Sequence, residues 1–343
     1  MTDFAIPAVL HDVSLRPYHT FGTNAVADCF IEVDTAAHLD YLIKRHLLKE
    51  PFVILGGGSN MVFADRYRGT VVRMATKGIR LVGQTDEYVL VEAEAGEEWD
   101  SFVRHCIGQG WYGLENLAAI PGTVGASAVQ NVGAYGSEAG QYIDCVHAVG
   151  IESGKTLSFS HDECLFAYRD SVFKHSMAGR LVITSVVYRL HTRYIPNLSY
   201  SALAQTLRDE GIANPTAMQT FDIVTRIRWG RLPRPEEWGS AGSFFKNPVV
   251  TASHFEQLQK DYPGIAGYAF GDGYKLAAGW LIEQCGWRGR SLGRCGVWDK
   301  QALVLVNRGG CTFDEIVQLA NAIIADVEAR FGVTLQREVF FNE

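Results

Sequence analysis

With 343 residues, the chain has room for two or three domains of ordinary size. A hydrophobic fraction of 47% supplies several buried cores, and a formal net charge of -7 speaks against the broad basic face that a nucleic-acid protein needs. No apolar run approaches the roughly 20 residues of a membrane span, and Met1–Asp12 lacks the basic flank of a secretion signal and is broken by Pro7, so a cytoplasmic protein is expected.

The first element in chain order is a helix over 35–49. Leu39, Leu42, Ile43, His46 and Leu47 share one face, and Thr35 suits the N-cap. Residues 51–55 read as a short buried strand that runs into Gly56-Gly57-Gly58-Ser59-Asn60. Strands are expected over 69–74 and 88–95. A helix then starts at Glu97, with Trp99, Phe102, Val103 and Cys106 inward and a stop at Gly108/Gly110. Residues near 112–140 are rich in Gly, Ala and Asn and poor in helical period, which predicts a loop. Strand patterns resume over 145–149 and 181–190. Helices are expected over 200–208 and 216–228, followed by a linker over 230–235, whose prolines cannot continue a helix. Beyond it come a Gly/Ser loop over 239–243, a helix near 275–285 and a strand over 302–306. The last helix begins at a capping box, Thr312 with Glu315, runs through Ile316, Ala320, Ile324, Val327 and Phe331, and stops at Gly332. A strand over 333–341 closes the chain. Strands and helices do not alternate strictly, so the expected class is α+β with mixed sheets.

The seven cysteines (Cys29, Cys106, Cys145, Cys164, Cys285, Cys295 and Cys311) show no C-x-x-C or zinc-ribbon spacing, and the ten histidines form neither H-E-x-x-H nor H-x-H. Reduced structural thiols and no metal site are expected.

Two glycine-rich segments carry the strongest chemical signal. In Gly56-Gly57-Gly58-Ser59-Asn60, successive backbone N–H groups can converge on an anion, and absent side chains let a pyrophosphate approach. A tight strand turn would account for this run equally well. In the longer segment 113–136, Gly122, Gly125, Ala126, Ser127 and Ala128 again permit close approach, while Thr123, Ser127, Gln130 and Asn131 offer hydrogen bonds. Its apolar residues Leu114, Leu117, Ile120, Val124 and Val129 argue against disorder, and a loop this long in a compact domain is then functional. Two such cradles suggest a dinucleotide held from two sides.

GGGSN, then GLENLAAIPGTVGASAVQNVGAYG, then Phe166-Ala-Tyr-Arg-Asp-Ser171, then Gly242-Ser-Phe-Phe-Lys-Asn-Pro248 occur in this order. Together they resemble the UDP-N-acetylenolpyruvoylglucosamine reductase (MurB) family, in its tyrosine-loop subgroup, within the flavoprotein superfamily that includes vanillyl-alcohol oxidase. The match runs from Tyr18-His-Thr-Phe-Gly22 to the terminal strand, and its last two motifs are the specific ones. The resemblance implies FAD, held non-covalently, and NADPH as hydride source for reduction of UDP-N-acetylglucosamine enolpyruvate to UDP-N-acetylmuramate, a step of peptidoglycan precursor synthesis. It implies a two-part FAD-binding α+β module, 1–77 (with 331–343 returning to it) and 78–230, and a C-terminal α+β substrate-binding domain, 231–330. The cofactor contacts it implies are Gly56, Gly57, Gly58, Ser59, Asn60, Pro121, Gly122, Thr123, Gly125, Ala126, Asn131 and Gly133. A monomer is expected by default, with a sugar nucleotide as its small-molecule partner.

Reducing an enol ether conjugated to a carboxylate requires a cationic or protonated partner for the developing negative charge and an acid that delivers a proton. Arg169 suits the first role, because a guanidinium binds a carboxylate bidentately and stays charged. An ordinary surface pair with Asp170 is the other reading of the residues alone. Ser243 lies in a Gly/Ser-rich stretch without a G-x-S-x-G elbow; the resemblance makes it the proton donor. Glu338 shares a strand face with Gln336 and Phe340, opposite Val339 and Phe341. An exposed strand acid is the ordinary reading; the resemblance places it beside Arg169. The sequence departs from the family pattern here, with Arg337 where proline is common and Phe340 where arginine is common. The arginines of 226–234 form a solvated helix end or capture a diphosphate. The resemblance favours capture by Arg228 and Arg231, and it adds Tyr135, Tyr200, Asn247, Lys275 and Gln301 as substrate contacts. Two rival classes share these motifs: a flavin oxidase or dehydrogenase acting on another small molecule, and a non-catalytic sugar-nucleotide-binding protein.

Overall fold

A computed structural model describes residues 6–343, so the start of the Met1–Asp12 stretch and of the expected 1–77 subdomain lies outside the described residues. The chain divides into two compact units, each assembled from separate stretches of sequence. Unit 1 takes the residues through Val13, Ala27–Gly57 and Arg68–Gly230; unit 2 takes Ser14–Val26, Gly58–Tyr67 and Arg231–Glu343.

Unit 1 holds two sheets. A four-stranded sheet has the order Val9–Ser14, Val26–Val33, Arg66–Met74, Phe52–Leu55, its last two strands being parallel. Helix α1, Ala36–Lys44, buries Leu39, Leu42 and Ile43 against it. The Thr35 hydroxyl accepts a hydrogen bond from the His38 N–H, as its N-cap position predicts. The helix stops short of Lys49, since His46 turns to a positive φ of 50°. A five-stranded antiparallel sheet runs Thr156–Ser160, Ile143–Gly150, Leu181–His191, Tyr88–Glu94, Ile79–Gln84. Helix α2, Trp99–Gly108, drives Trp99, Phe102, Val103 and Cys106 into the core beneath it.

The segment expected as a loop over 112–140 is a correction. It contains helix α3, Val124–Gln130, and a short hairpin of Gly133–Ala134 with Ser137–Glu138. Val124, Gly125, Ser127, Ala128 and Gln130 are all buried. A helix enclosed on several sides has no polar face, so it shows no period. Trp99 ties the segment down by donating from its indole N–H to the Leu117 carbonyl at 2.9 Å. Helices α4, Ser201–Asp209, and α5, Ala217–Arg231, complete the unit close to their expected places.

Unit 2 holds a four-stranded sheet in the order Gly239–Ser243, Val304–Asn307, Cys295–Val297, Ser291–Leu292. The predicted Gly/Ser loop at 239–243 is therefore a strand. Its partners decide this: Ser240 bonds backbone to backbone with Thr20 at 3.0 Å, and a Cβ on Gly239 would stand 2.1 Å from the Phe21 carbonyl oxygen. A three-stranded sheet joins Val249–Thr251, Gly273–Leu276 and Gly267–Phe270. Lys275 lies in the second of these, so the helix expected from it is shorter. Helix α6 is Ala252–Asp261, α7 is Ala278–Gln284, and α8 is Phe313–Phe331. The Thr312/Glu315 capping box forms in full, and Gly332 ends α8 at a φ of 65°. Of the terminal strand expected over 333–341, regular pairing is confined to Phe340–Asn342, parallel to Met61–Phe63. Phe245 and Arg337 make an isolated bridge before it.

Candidate active site

In unit 1 the two glycine segments meet backbone to backbone. A Cβ on Gly57 would stand 2.8 Å from Gly122 Cα, and one on Gly56 would stand 2.5 Å from Thr123 Oγ1. Gly125 is equally confined, its absent Cβ falling 2.8 Å from the Ala95 methyl. These glycines first let the loops touch. The result is a junction of two backbones at the end of the strand Phe52–Leu55, made possible by the missing side chains of Gly56 and Gly57. A glycine turn of this kind, open to close approach, fits the pyrophosphate of an FAD. In unit 2, Gly58 takes a φ of 60°, and a Cβ there would fall 2.1 Å from the Tyr18 carbonyl oxygen. Both the turn and the close approach demand glycine.

Asn131 caps α3 in the left-handed region, at a φ of 44°. Its side chain accepts from the Gly140 N–H at 2.8 Å and donates to the Ala167 carbonyl at 2.8 Å and to Glu138 at 3.0 Å. This fixes the hairpin that carries Gly133 and Tyr135. Arg169 is a corner of a tight turn closed by reciprocal backbone bonds between Ala167 and Asp170, and its own φ is 55°. Its Nη2 donates to the Gly133 carbonyl at 2.7 Å. The Asp170 carboxylate lies 2.8 Å from His175 Nε2. Burial alone would raise its pKa, but the His175 hydrogen bond and charge outweigh this and hold it below the ordinary value.

Tyr135 and Tyr200 stand edge to face with centroids 5.0 Å apart. Asn116 Nδ2 ties their two segments together, donating to the carbonyls of Tyr135 at 2.8 Å and Asn197 at 2.9 Å. Arg228 joins this group. Burial lowers its pKa from the ordinary value; the Tyr135 hydroxyl opposes the shift and the neighbouring Arg169 charge adds to it. Its Nε is buried without a hydrogen-bond partner. Burial together with the charge of Arg169 disfavours the Arg228 cation unless an anion joins it. Unit 1 thus brings together Arg169, Arg228, Tyr135 and Tyr200. The sequence offered no signal for Asn116 or Asn197, which act through tertiary bonds to backbone.

In unit 2, Ser243, Asn60 and Glu338 converge. Gly242, at a φ of 68°, falls within a register shift between Ser240 and Ser243 on the strand facing Val304–Asn307. Such a bulge turns the following side chain. The Phe244 carbonyl accepts from the Glu338 N–H at 2.9 Å, and Asn60 Nδ2 donates to the Glu338 carbonyl at 3.2 Å. Arg337 packs its guanidinium 4.4 Å from the Phe341 ring and donates to Asn321. It therefore lies on Phe341's side of the strand, as two-residue alternation predicts. Asn247 accepts from the Ala278 N–H at 3.0 Å, and Gln301 Oε1 lies where a Cβ on Gly279 would be 2.7 Å away, so both reach the first turn of α7. Lys275 lies over the Phe270 ring at 4.8 Å, and Arg231 gives its carbonyl to the Trp298 indole at 2.9 Å.

His19 was missed as a notable residue. It is 4% exposed, beside the Gly58 turn, with Nε2 3.3 Å from the Thr23 carbonyl and Nδ1 buried without a partner. Burial lowers its pKa to about 4. The folded state therefore stays unprotonated while the unfolded state gains a proton below an unfolded pKa of about 6.5. Stability is complete above that value and is lost as pH falls toward 4, by about 3 kcal/mol in all. In His19→Gln, the drop in thermal midpoint between pH 7 and pH 5 is expected to shrink by several degrees. An unchanged drop would remove His19 from the acid response.

Two family models match the chain: an FAD binding domain over residues 27–160, spanning both glycine cradles, and the C-terminal domain of UDP-N-acetylenolpyruvoylglucosamine reductase over 234–341. A curated UDP-N-acetylenolpyruvoylglucosamine reductase of Chromobacterium violaceum is 47% identical over 95% of this chain and 97% of its own length. The chain belongs to the UDP-N-acetylenolpyruvoylglucosamine reductase family. A second reductase of this name, from an Azoarcus species, is 46% identical over 97% of this chain and 98% of its own. The crystal structure of the reductase from Thermus caldophilus has the same fold, with a TM-score of 0.68 over 99% of this chain and all of that one, at 23% identity. Membership in this reductase family accounts for the α+β class and the FAD-binding module. Among the described residues no three His, Cys, Asp or Glu side chains are grouped to hold a metal ion, and no helix is long and apolar enough to cross a membrane.

Proposed function

We infer that this chain is an FAD-dependent reductase that converts UDP-N-acetylglucosamine enolpyruvate to UDP-N-acetylmuramate with NADPH, in peptidoglycan precursor synthesis. Identity of 47% with a curated reductase along nearly the whole chain carries this reading. Bound FAD supplies the relay through which hydride passes from NADPH to the substrate alkene. The backbone of Gly56, Gly57, Gly122 and Thr123 would hold its pyrophosphate, with Gly58, Ser59, Asn60, Pro121, Gly125, Ala126, Asn131 and Gly133 completing the cofactor site. Arg169 faces the substrate carboxylate and stabilises the charge that develops there. Glu338 orients the same group, and Ser243 gives a proton to the neighbouring carbon. The buried guanidinium of Arg228 and the Tyr135–Tyr200 pair support a seat for the anionic sugar nucleotide, to which Arg231, Asn247, Lys275 and Gln301 add contacts.

The working division is 1–77 with 331–343, then 78–230, as the cofactor module, and 231–330 as the substrate domain. The net charge of -7 and the seven free thiols support a cytoplasmic protein without nucleic-acid partners, and a monomer is proposed by default. The test is anaerobic. One equivalent of NADPH is expected to bleach the yellow holoprotein, and the enolpyruvyl sugar nucleotide to restore the colour. Bleaching without recovery would discard the substrate, and a protein that takes up no FAD would overturn the cofactor site. After acid precipitation the flavin is expected in the supernatant, as befits a non-covalent cofactor.

A further inference from the structure

We propose that Lys174 is a positioning residue for Arg169. Its ammonium clamps the turn that carries Arg169 to the end of α3, so that the glycine cradle at one end of that helix and the guanidinium at the other keep one register. The inference deepens the reading that Arg169 acts on the substrate, and rests on it.

Arg169 sits at a φ of 55°, a region that a residue with a Cβ adopts only where its surroundings over-determine it. The surroundings here are specific. Lys174 Nζ donates to the Arg169 carbonyl at 2.8 Å and to Gln130 Oε1 at 2.9 Å. Gln130 is the last residue of α3 and is buried. Two neighbouring bonds join the same turn to the same helix end: Ser171 Oγ donates to the Val129 carbonyl at 2.7 Å, and Asn131 Nδ2 donates to the Ala167 carbonyl at 2.8 Å. At the other end of α3, the N–H groups of Val124 and Gly125 donate to the carbonyls of Glu97 and Ala95, each at 2.9 Å, next to Gly56 and Gly57. A helix of this length is a rigid spacer of about 10 Å. Among these ties, the one from Lys174 is made by a cation, and it holds the carbonyl of Arg169 itself. Charge-assisted bonds of this kind are the stronger class. Lys174 is half-buried with its ammonium on the Arg169 carbonyl and on Gln130, which makes Arg169 the route proposed for its effect.

The test uses the holoenzyme and its two half-reactions. Lys174→Met is expected to retain FAD and to bleach with NADPH at the normal rate, while reoxidation by the enolpyruvyl sugar nucleotide slows by up to about 100-fold, the scale of loss from a catalytic group displaced by an ångström. Lys174→Arg, which restores a cation with several donors, recovers much of that rate. Adding Lys174→Met to Arg169→Met changes nothing further. Reoxidation at the normal rate in Lys174→Met overturns the proposal, and so does an effect that adds in full to that of Arg169→Met. If Arg169→Met alone reoxidises normally, the role of Arg169 has failed, and the clamp has no purpose. Where the methionine variant yields no holoenzyme, Lys174→Gln, which keeps an amide donor and much of the aliphatic stem, carries the same comparison.

Discussion

Ser243→Ala is expected to leave flavin bleaching by NADPH intact and to slow reoxidation by the enolpyruvyl sugar nucleotide by about 100- to 10,000-fold, the range for loss of a positioned acid. The fold itself is expected to be unaffected. Phe244 and Phe245 are fully buried and carry the packing on this stretch, while the Phe244 N–H is fixed to the Leu303 carbonyl at 2.8 Å. The bulge at Gly242 depends on a glycine at positive φ, and it survives the loss of one hydroxyl at the next residue. Stopped-flow absorbance of each half-reaction, with a thermal melt as control, separates the outcomes. Equal loss in both half-reactions, or a large fall in the melting temperature, would sink the assignment of Ser243 as acid.

The second large effect concerns the cofactor. In Gly57→Ala the new methyl would meet the backbone of Gly122 at 2.8 Å, and a backbone cannot swing aside as a side-chain tip does. The loops must separate, at a cost of about 1–3 kcal/mol for an overpacked contact. The joined glycine turn then no longer fits one pyrophosphate, and FAD affinity falls roughly 10- to 100-fold. Gly108→Ala is the matched control, since a Cβ there meets nothing within 4 Å. Fluorescence titration of FAD into apoprotein reads the difference. Unchanged affinity in Gly57→Ala would show that the cofactor does not depend on the meeting of the two loops.

These two sites differ in how openly the sequence announced them. A glycine run after a buried strand is a local signal, because only glycine tolerates both the turn at Gly58 and the contact at Gly57. Helices with one buried face were equally legible: Leu39, Leu42 and Ile43 give α1 its period, and Thr312 with Glu315 gives α8 its start. Helix α3 was hidden because its burial leaves no contrast between faces. The strand that ends in Ser243 was hidden for a different reason. Its composition is that of a turn, and it becomes a strand through partners far away, Thr20 among them, whose hydroxyl bonds to Ser240 across 220 residues. Lys174 and Gln130 show the same limit within the site, since nothing local distinguishes a lysine that closes a tertiary clamp from one that faces solvent.

The way unit 2 is threaded has a consequence for its birth on the ribosome. Phe21 and Val62 are fully buried in its core, although most of that core comes from residues beyond 231. The strand Met61–Phe63 pairs with Phe340–Asn342, and the Asn342 side chain donates to the Val62 carbonyl across 280 residues. At about 5–20 residues per second, those early segments wait roughly 15 to 60 seconds for their partners to be made. The matched C-terminal region, 234–341, is therefore one part of a unit that closes only after the strand Phe340–Asn342 has been made. Throughout that interval, shielding Phe21 and Val62 falls to whatever the nascent chain has already folded, or to a chaperone.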